Sequence, residues 1–190
     1  MRAWRCLALL GACVAVAACV TPTRMASTPG AEASFSRAGR FALTVTQAGG
    51  RQDAVQGGFS WLDERDRYVL DLTNPLGSTQ ARVEGRPGAA VLTRANGERL
   101  SAADPDALAE EALGSRIPVA GLRDWFQGRL ASAPAASDVT HDSQGRVQAF
   151  EQGGWQAKLS RYDEAGPQLL VLERRETDRR IVLRLVVDPA

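Results

Sequence analysis

Few side chains of this sequence have the types and spacing that catalysis needs. The single histidine, His141, lies in the stretch VTHDSQGRV, next to an aspartate and a serine. A Ser–His–Asp arrangement requires a buried, oriented imidazole, whereas this stretch has the composition of an exposed turn. No Gly-x-Ser-x-Gly motif occurs in the chain. We therefore interpret His141 as a surface residue and do not expect the protein to be an enzyme.

Metal and phosphate chemistry also lack the residues they need. No cysteine lies beyond Cys19, so one histidine is all that remains for a His/Cys metal site. No glycine-rich phosphate loop precedes a helical pattern. The acidic clusters are interpreted as solvent-facing positions of a hairpin turn and of a helix, not as a converging catalytic pair: Asp63, Glu64, Asp66, Glu110 and Glu111. We expect no metal ion, nucleotide or other diffusible cofactor.

Length and charge limit the remaining classes. The chain has 190 residues, which favours one domain with a tail. Its 23 basic and 22 acidic residues give a formal net charge of +1, and no basic run is present. Nucleic acid is therefore not an expected partner.

The N-terminus has the pattern of a targeting signal. A short basic start is followed by the apolar run from Leu7 to Ala18, which is too short to span a bilayer. The run ends in Val-Ala-Ala-Cys19, which resembles the lipobox of bacterial lipoprotein signal peptides. That resemblance implies that residues 1–18 are removed and that Cys19 carries a covalent lipid. An ordinary secretory signal with an incidental cysteine is the alternative.

The residues after Cys19 are interpreted as a tether. Residues 19–34 are rich in Thr, Pro, Ser and Ala, a composition typical of flexible linkers. Val20, a residue other than Asp after the lipidated cysteine, resembles the sorting signal for the outer membrane. We expect a domain over residues 35–190, anchored in the outer membrane by lipid and facing the periplasm.

Alternation of apolar and polar residues predicts a mainly β domain. Phe41, Leu43 and Val45 alternate with smaller or polar residues, and similar patterns recur up to the C-terminus. Two helices interrupt the strands in mid-chain, the first with Asp104 as N-cap and Pro105 at its first position. A sheet of about ten strands must hide one apolar face, so we predict a full or half barrel with the helices on its concave side.

One predicted turn places an apolar residue where a polar one is usual. Asn74, Pro75 and Gly77 have the types favoured at the first, second and fourth positions of a β-turn. Leu76 then lies at its tip. Several large side chains, Trp61 and Trp125 among them, fit either a packed core or the wall of a cavity.

Three segments that follow the lipobox resemble the LolB family of outer-membrane lipoprotein receptors: DRYVLDLTNPLGST, ANGERLSAADPDAL and GSRIPVAGLRDWFQGR. The resemblance runs from about Gly39 to the last strand, and the ending VVDPA departs from the longer tail typical of the family. It implies an unclosed antiparallel half-barrel of about ten to eleven strands, with a small helical lid over a hydrophobic cavity. The expected acyl-chain contacts are Phe41, Phe59, Trp61, Tyr68, Leu70, Leu72, Trp125, Phe126 and Trp155.

The resemblance also implies a function. The protein would accept lipoproteins from a LolA-like periplasmic carrier, hold their acyl chains in the cavity and insert them into the outer membrane. The loop of Pro75, Leu76 and Gly77 would enter the membrane, and the protein would act as a monomer. The alternative is a lipid-anchored carrier or assembly factor that binds another lipid or a protein.

Overall fold

The computed structural model describes residues 34–64, 66–113 and 117–190. The predicted signal peptide, Cys19 and all of the predicted tether except residue 34 lie outside the described residues. No helix in the described ranges has both the length and the apolar character needed to cross a membrane.

Eleven antiparallel strands form one sheet. Their bounds are β1 Phe35–Gln47, β2 Gln52–Glu64, β3 Arg67–Thr73, β4 Thr79–Arg86, β5 Ala89–Arg94, β6 Arg99–Ala102, β7 Ser137–His141, β8 Val147–Gln152, β9 Trp155–Asp163, β10 Gly166–Arg175 and β11 Arg179–Val187. The order across the sheet is β6-β5-β4-β3-β2-β1-β11-β10-β9-β8-β7. The edges β6 and β7 do not pair with each other, so the predicted half-barrel architecture, open and antiparallel, is confirmed.

The first and last strands join the two halves of the sheet. β1 pairs with β2 on one side and with β11 on the other, with Leu43 opposite both Val55 and Leu183. Residues of the same parity along each strand face the concave side, as the period of two requires. The apolar side chains buried there form one continuous core that includes Phe59, Trp61, Leu70, Val83, Leu92, Phe150, Leu159, Leu170, Leu172, Ile181, Leu183 and Leu185. The domain therefore contains the core that it needs to fold without the N-terminal residues.

Two short helices follow β6, as predicted. Helix α1 covers Pro105–Leu113 and helix α2 covers Val119–Trp125. The backbone N–H of Ala107 donates to Asp104 Oδ1 at 2.8 Å, which confirms Asp104 as the cap of α1. Helix α1 contacts β5, β6 and α2.

Strand β7 was not predicted. The stretch VTHDSQGRV has the composition of a turn, Val139 is the only large apolar residue between Ser137 and His141, and alternation is not visible. The pairing of β7 with β8 is also irregular, with register shifts on both sides of Thr140. His141 ends this edge strand and is exposed, in agreement with its interpretation as a surface residue.

An ion-pair cluster lies on the outer face of β10 and β11. Arg180 donates from Nε and Nη2 to the two carboxylate oxygens of Glu173, at 2.8 and 2.6 Å, and Arg175 donates to the same carboxylate at 2.8 Å. The hydrogen bonds from Arg180, followed in size by those from Arg175, lower the pKa of Glu173 to about 2.

Replacing Glu173 by Gln is expected to reduce the loss of stability at acid pH. The pKa of Glu173 is lower in the folded chain than its ordinary value of 4.5, so its stabilising contribution is complete above that value and disappears as the pH falls towards 2. Denaturant midpoints at pH 7 and pH 3 should differ less for Glu173→Gln than for the wild type. Glu164→Gln, at an exposed turn position, should keep the wild-type difference. If the midpoints at pH 7 and pH 3 differed equally in the two variants, the lowered pKa of Glu173 would be contradicted.

Candidate functional site

An apolar cavity of about 120 Å³ lies between the concave face of the sheet and the helical segment. The sheet and the helical segment each supply part of its wall, because the helices cover the sheet without filling the space above it. The lining residues are Phe41, Leu43, Phe59, Leu70, Leu72, Ala81, Val83, Leu92, Arg94, Leu183 and Leu185 from strands, and Pro105, Leu108, Ala109, Ile117, Val119, Leu122 and Phe126 from the helical segment.

Among the described residues, Arg94 is the one charged residue of this wall. Its guanidinium lies 3.5 Å from the carboxylate of Glu98, four residues further along the β5–β6 hairpin. The side chain is about one third exposed, so its aliphatic part covers the cavity while its charge lies at the rim. The interior is thus suited to an uncharged, apolar guest.

Helix α2 is tied to β2 by a bidentate ion pair. Arg123 donates from Nε and Nη2 to the two oxygens of Asp63, at 2.6 and 2.7 Å. These hydrogen bonds raise the pKa of Arg123. The interpretation of Asp63 as a solvent-facing turn residue was wrong: β2 continues to Glu64, and Asp63 is only 6% exposed.

The other side of α2 is tied to β8. Trp125 Nε1 donates to Gln152 Oε1 at 2.9 Å, and the amide nitrogen of Gln152 donates to the carbonyls of Ala131 and Pro134. Gln152 is 2% exposed and has partners on both ends of its amide. Strands β2 and β8 lie in opposite halves of the sheet, so α2 spans the concave face and is fixed on both sides.

Helix α1 covers the cavity next to α2. Leu108 and Ala109 turn towards the cavity and are buried. Asp106 Oδ1 accepts a hydrogen bond of 2.9 Å from the backbone N–H of Ala120, near the start of α2. The two helices therefore form one cover, in which α2 holds the polar ties to the strands of both halves.

Five of the nine predicted acyl-chain contacts line the cavity, and four lie elsewhere. Phe41, Phe59, Leu70, Leu72 and Phe126 are brought together around it. Trp61 and Tyr68 stack on each other with ring centroids 4.6 Å apart, and Trp61 lies against Phe126 outside the lining. Burial, followed by the charge of Asp106, raises the pKa of Tyr68. Trp125 and Trp155 border a separate hollow of about 290 Å³ next to Gln152.

The sequence analysis did not predict the hydrogen bonds that fix α2 to β2 and β8, although the alternation pattern placed two of the residues involved. Asp63 has the same parity in β2 as Phe59 and Trp61, and Gln152 has the parity of Phe150 in β8. Alternation alone therefore places both polar side chains on the concave face. The partners across the fold, Arg123 for Asp63 and Trp125 for Gln152, could not be identified from alternation.

The loop after β3 has the predicted turn. The N–H of Gly77 donates to the carbonyl of Asn74 at 2.9 Å, and Gly77 has a φ of +86°. Asn74 Oδ1 accepts from the N–H groups of Leu76 and Ser78, each at 3.0 Å. Leu76 at the tip is 91% exposed, so the loop projects its leucine into solvent.

The described wall of the site is suited to binding apolar material. Within residues 34–64, 66–113 and 117–190, no group of three or more His, Cys, Asp or Glu side chains is placed to hold a metal ion. Asp63, next to the cavity cover, accepts two hydrogen bonds from Arg123. What the arrangement can do is shelter apolar material from water.

Comparison with known proteins identifies the family. The family model described as outer membrane lipoprotein LolB matches residues 33–189. The chain belongs to the LolB family. The match includes the whole described sheet and both helices, so the cavity and the Leu76 loop both lie inside the family domain.

Curated relatives named outer-membrane lipoprotein LolB match almost the whole chain. The relative from Bordetella pertussis is 62% identical and covers 95% of this chain and 87% of its own. The relative from Bordetella petrii is 58% identical, covering 97% and 94%, and that from Cupriavidus necator is 38% identical, covering 95% and 90%. A crystal structure of a LolA superfamily protein from Nitrosomonas europaea overlaps 82% of this chain and 86% of its own, with 10% identity and a TM-score of 0.42.

Replacing Asp63 by Asn should loosen α2. The variant loses the charge that pairs with Arg123, and we expect the free energy of unfolding to fall by about 1.5–3 kcal/mol, as for hydrogen bonds to charged groups. Amide hydrogen exchange in residues 119–125 should accelerate more than in β10. The matched control is Asp71→Asn, which breaks the exposed bidentate pair with Arg82 and should cost much less. Equal effects of the two variants would show that the pair with Arg123 does not hold the helix.

Proposed function

We propose that this LolB-family protein receives lipoproteins from a LolA-like periplasmic carrier and inserts them into the outer membrane. The observation that carries the proposal is the cavity between sheet and helices, whose described wall is apolar except for Arg94 at its rim. A lipoprotein in water exposes acyl chains, and each exposed methylene costs about 0.8 kcal/mol. A protein that passes such cargo from a periplasmic carrier to the membrane needs a sheltered apolar site of this kind.

The cavity must widen when cargo enters. Its volume is about 120 Å³, whereas an apolar cavity of about 150 Å³ takes one benzene molecule. An acyl chain is larger than that. Since α2 is fixed to β2 and β8, we propose that α1, with Leu108 and Ala109, moves away from the cavity while α2 stays in place.

The membrane anchor completes the proposal. Lipid on Cys19 would hold the chain in the outer membrane, with the domain in the periplasm at the end of the tether of residues 19–34. Transfer would use no nucleotide, metal or other cofactor, because the cargo would move to successively more favourable apolar surroundings, from carrier to cavity to bilayer. One copy of the chain contains the whole cavity, which supports action as a monomer.

The transfer step tests this function directly. Residues 19–190 with Cys19→Ala should form a soluble domain, because the core lies within the described residues. Mixed with a LolA-like carrier loaded with a radiolabelled lipoprotein, this domain should remove the cargo in the absence of membranes, as measured by separation of the two proteins and counting. Retention of all cargo by the carrier would refute the proposed receptor role.

Replacing Leu76 by Glu is expected to separate insertion from uptake. Leu76 is 91% exposed, and the loop is held by the backbone and by Asn74, so the fold and the uptake of cargo should not change. A charge at the tip opposes entry into lipid, so delivery to vesicles should fall at least tenfold. Leu76→Phe should deliver cargo at close to the wild-type rate. Wild-type delivery by Leu76→Glu would exclude the insertion role.

A further inference from the structure

Burial along the concave face decreases towards the end of the sheet that carries the Leu76 loop. In β2, Phe59 is 4% exposed and Val55, of the same parity, is 60% exposed. In β3, Leu70 is 7% exposed, and Leu72 is only partly buried. The apolar face is therefore sealed at one end and reaches solvent at the other.

Val55 is an extension of the cavity wall. It lies opposite Leu43 of β1 in the sheet register, and Leu43 lines the cavity. Side chains at opposed positions of neighbouring strands face the same side and lie in contact range. The last pair of β2 with β3 is Gly58 with Thr73, so no β3 residue pairs with Val55. An apolar side chain next to the cavity is thus open to solvent.

A groove lies at the base of the Leu76 loop, with Arg40, Gln56 and Thr73 on the outer face of the sheet and Phe41 on the concave face. It measures about 460 Å³, and Phe41 lines both the groove and the cavity. Two adjacent glycines form part of its wall, and a Cβ on Gly57 would lie 1.9 Å from the carbonyl oxygen of Thr73 and 3.1 Å from Cε1 of Phe41. The groove is lined by Arg40, Phe41, Gln56, Gly57, Gly58, Thr73, Asn74, Pro75 and Gly77.

We propose that cargo acyl chains leave the cavity at this end, past Phe41 and Val55, and enter the bilayer beside Leu76. The inference rests on the proposed function and adds the exit route. An acyl chain is the occupant that fits, because the path begins in the apolar cavity and ends at the exposed leucine. Asn74 Oδ1 already accepts two hydrogen bonds from its own loop. Arg40 is exposed on the outer face of the sheet, beside the base of the loop, where a cation suits the phosphates of lipid headgroups.

Substitutions in β2 test the route, because this strand has one exposed large apolar side chain on each face. Val55 is on the concave face, and Leu62, 38% exposed, has the opposite parity. Residues 19–190 with Cys19→Ala are first loaded from the carrier without membranes, and vesicles of phosphatidylethanolamine and phosphatidylglycerol are then added. Val55→Asp should take up cargo within twofold of the wild type and release it to the vesicles at least tenfold more slowly. Leu62→Asp and Val55→Leu should do both at close to wild-type rates.

The outcomes separate the route from the function. Failure of the unsubstituted domain to take up cargo would refute the receptor role. Normal uptake with wild-type release by Val55→Asp, or equally slow release by Leu62→Asp, would refute the exit route and leave the receptor role standing. A benzophenone amino acid at position 55 should also cross-link to radiolabelled acyl chains after vesicles are added, and one at position 62 should not. Equal labelling at the two positions would likewise overturn the route.

Discussion

The concave face of an open eleven-stranded sheet has to be kept from water, and this chain has two short helices for that purpose. A closed barrel would bury the face against itself, but β6 and β7 remain unpaired with each other. The cover therefore depends on how firmly α2 is held across the gap. Asp63 and Gln152, from opposite halves of the sheet, supply the two ties, through Arg123 and Trp125. Both polar side chains are buried, where hydrogen bonds are stronger than in water. These hydrogen bonds therefore fix the orientation of α2 as well as stabilising it.

Incomplete covering is what makes a site possible. Helices of nine and seven residues cannot fill the concave face, so part of its apolar surface borders a cavity instead of a packed core. Because the helices are short, Leu72 and Val55 are progressively more exposed towards the end of the sheet that carries the Leu76 loop. A fully packed interior would give a more stable protein without room for a guest. Under the proposed function, the cavity reflects a balance between the cost of exposed apolar surface and the need to accommodate apolar cargo.

Sequence patterns predicted the elements better than the contacts between them. Alternation and turn chemistry located most strands, the cap at Asp104 and the turn at Asn74, since these depend on neighbours in the chain. Strand β7 was not predicted, because its pairing with β8 and not its own composition makes it a strand. Aromatic side chains were assigned to the cavity as a group, but Trp61 stacks behind the lining. Whether an inward side chain reaches a void or another side chain depends on three-dimensional packing that alternation does not encode.

The loop that carries Leu76 is held almost entirely by itself. The hydrogen bonds of its turn run between Asn74, Leu76, Gly77 and Ser78, and none reaches a helix of the cover. Its turn therefore does not depend on hydrogen bonds to α1 or α2. Thermodynamic linkage is reciprocal: a contact that does not respond to a ligand cannot change the affinity for that ligand. In the proposed function the loop would act as a fixed guide and not as an allosteric trigger, and the direction of transfer would follow from the relative affinities of cavity and bilayer.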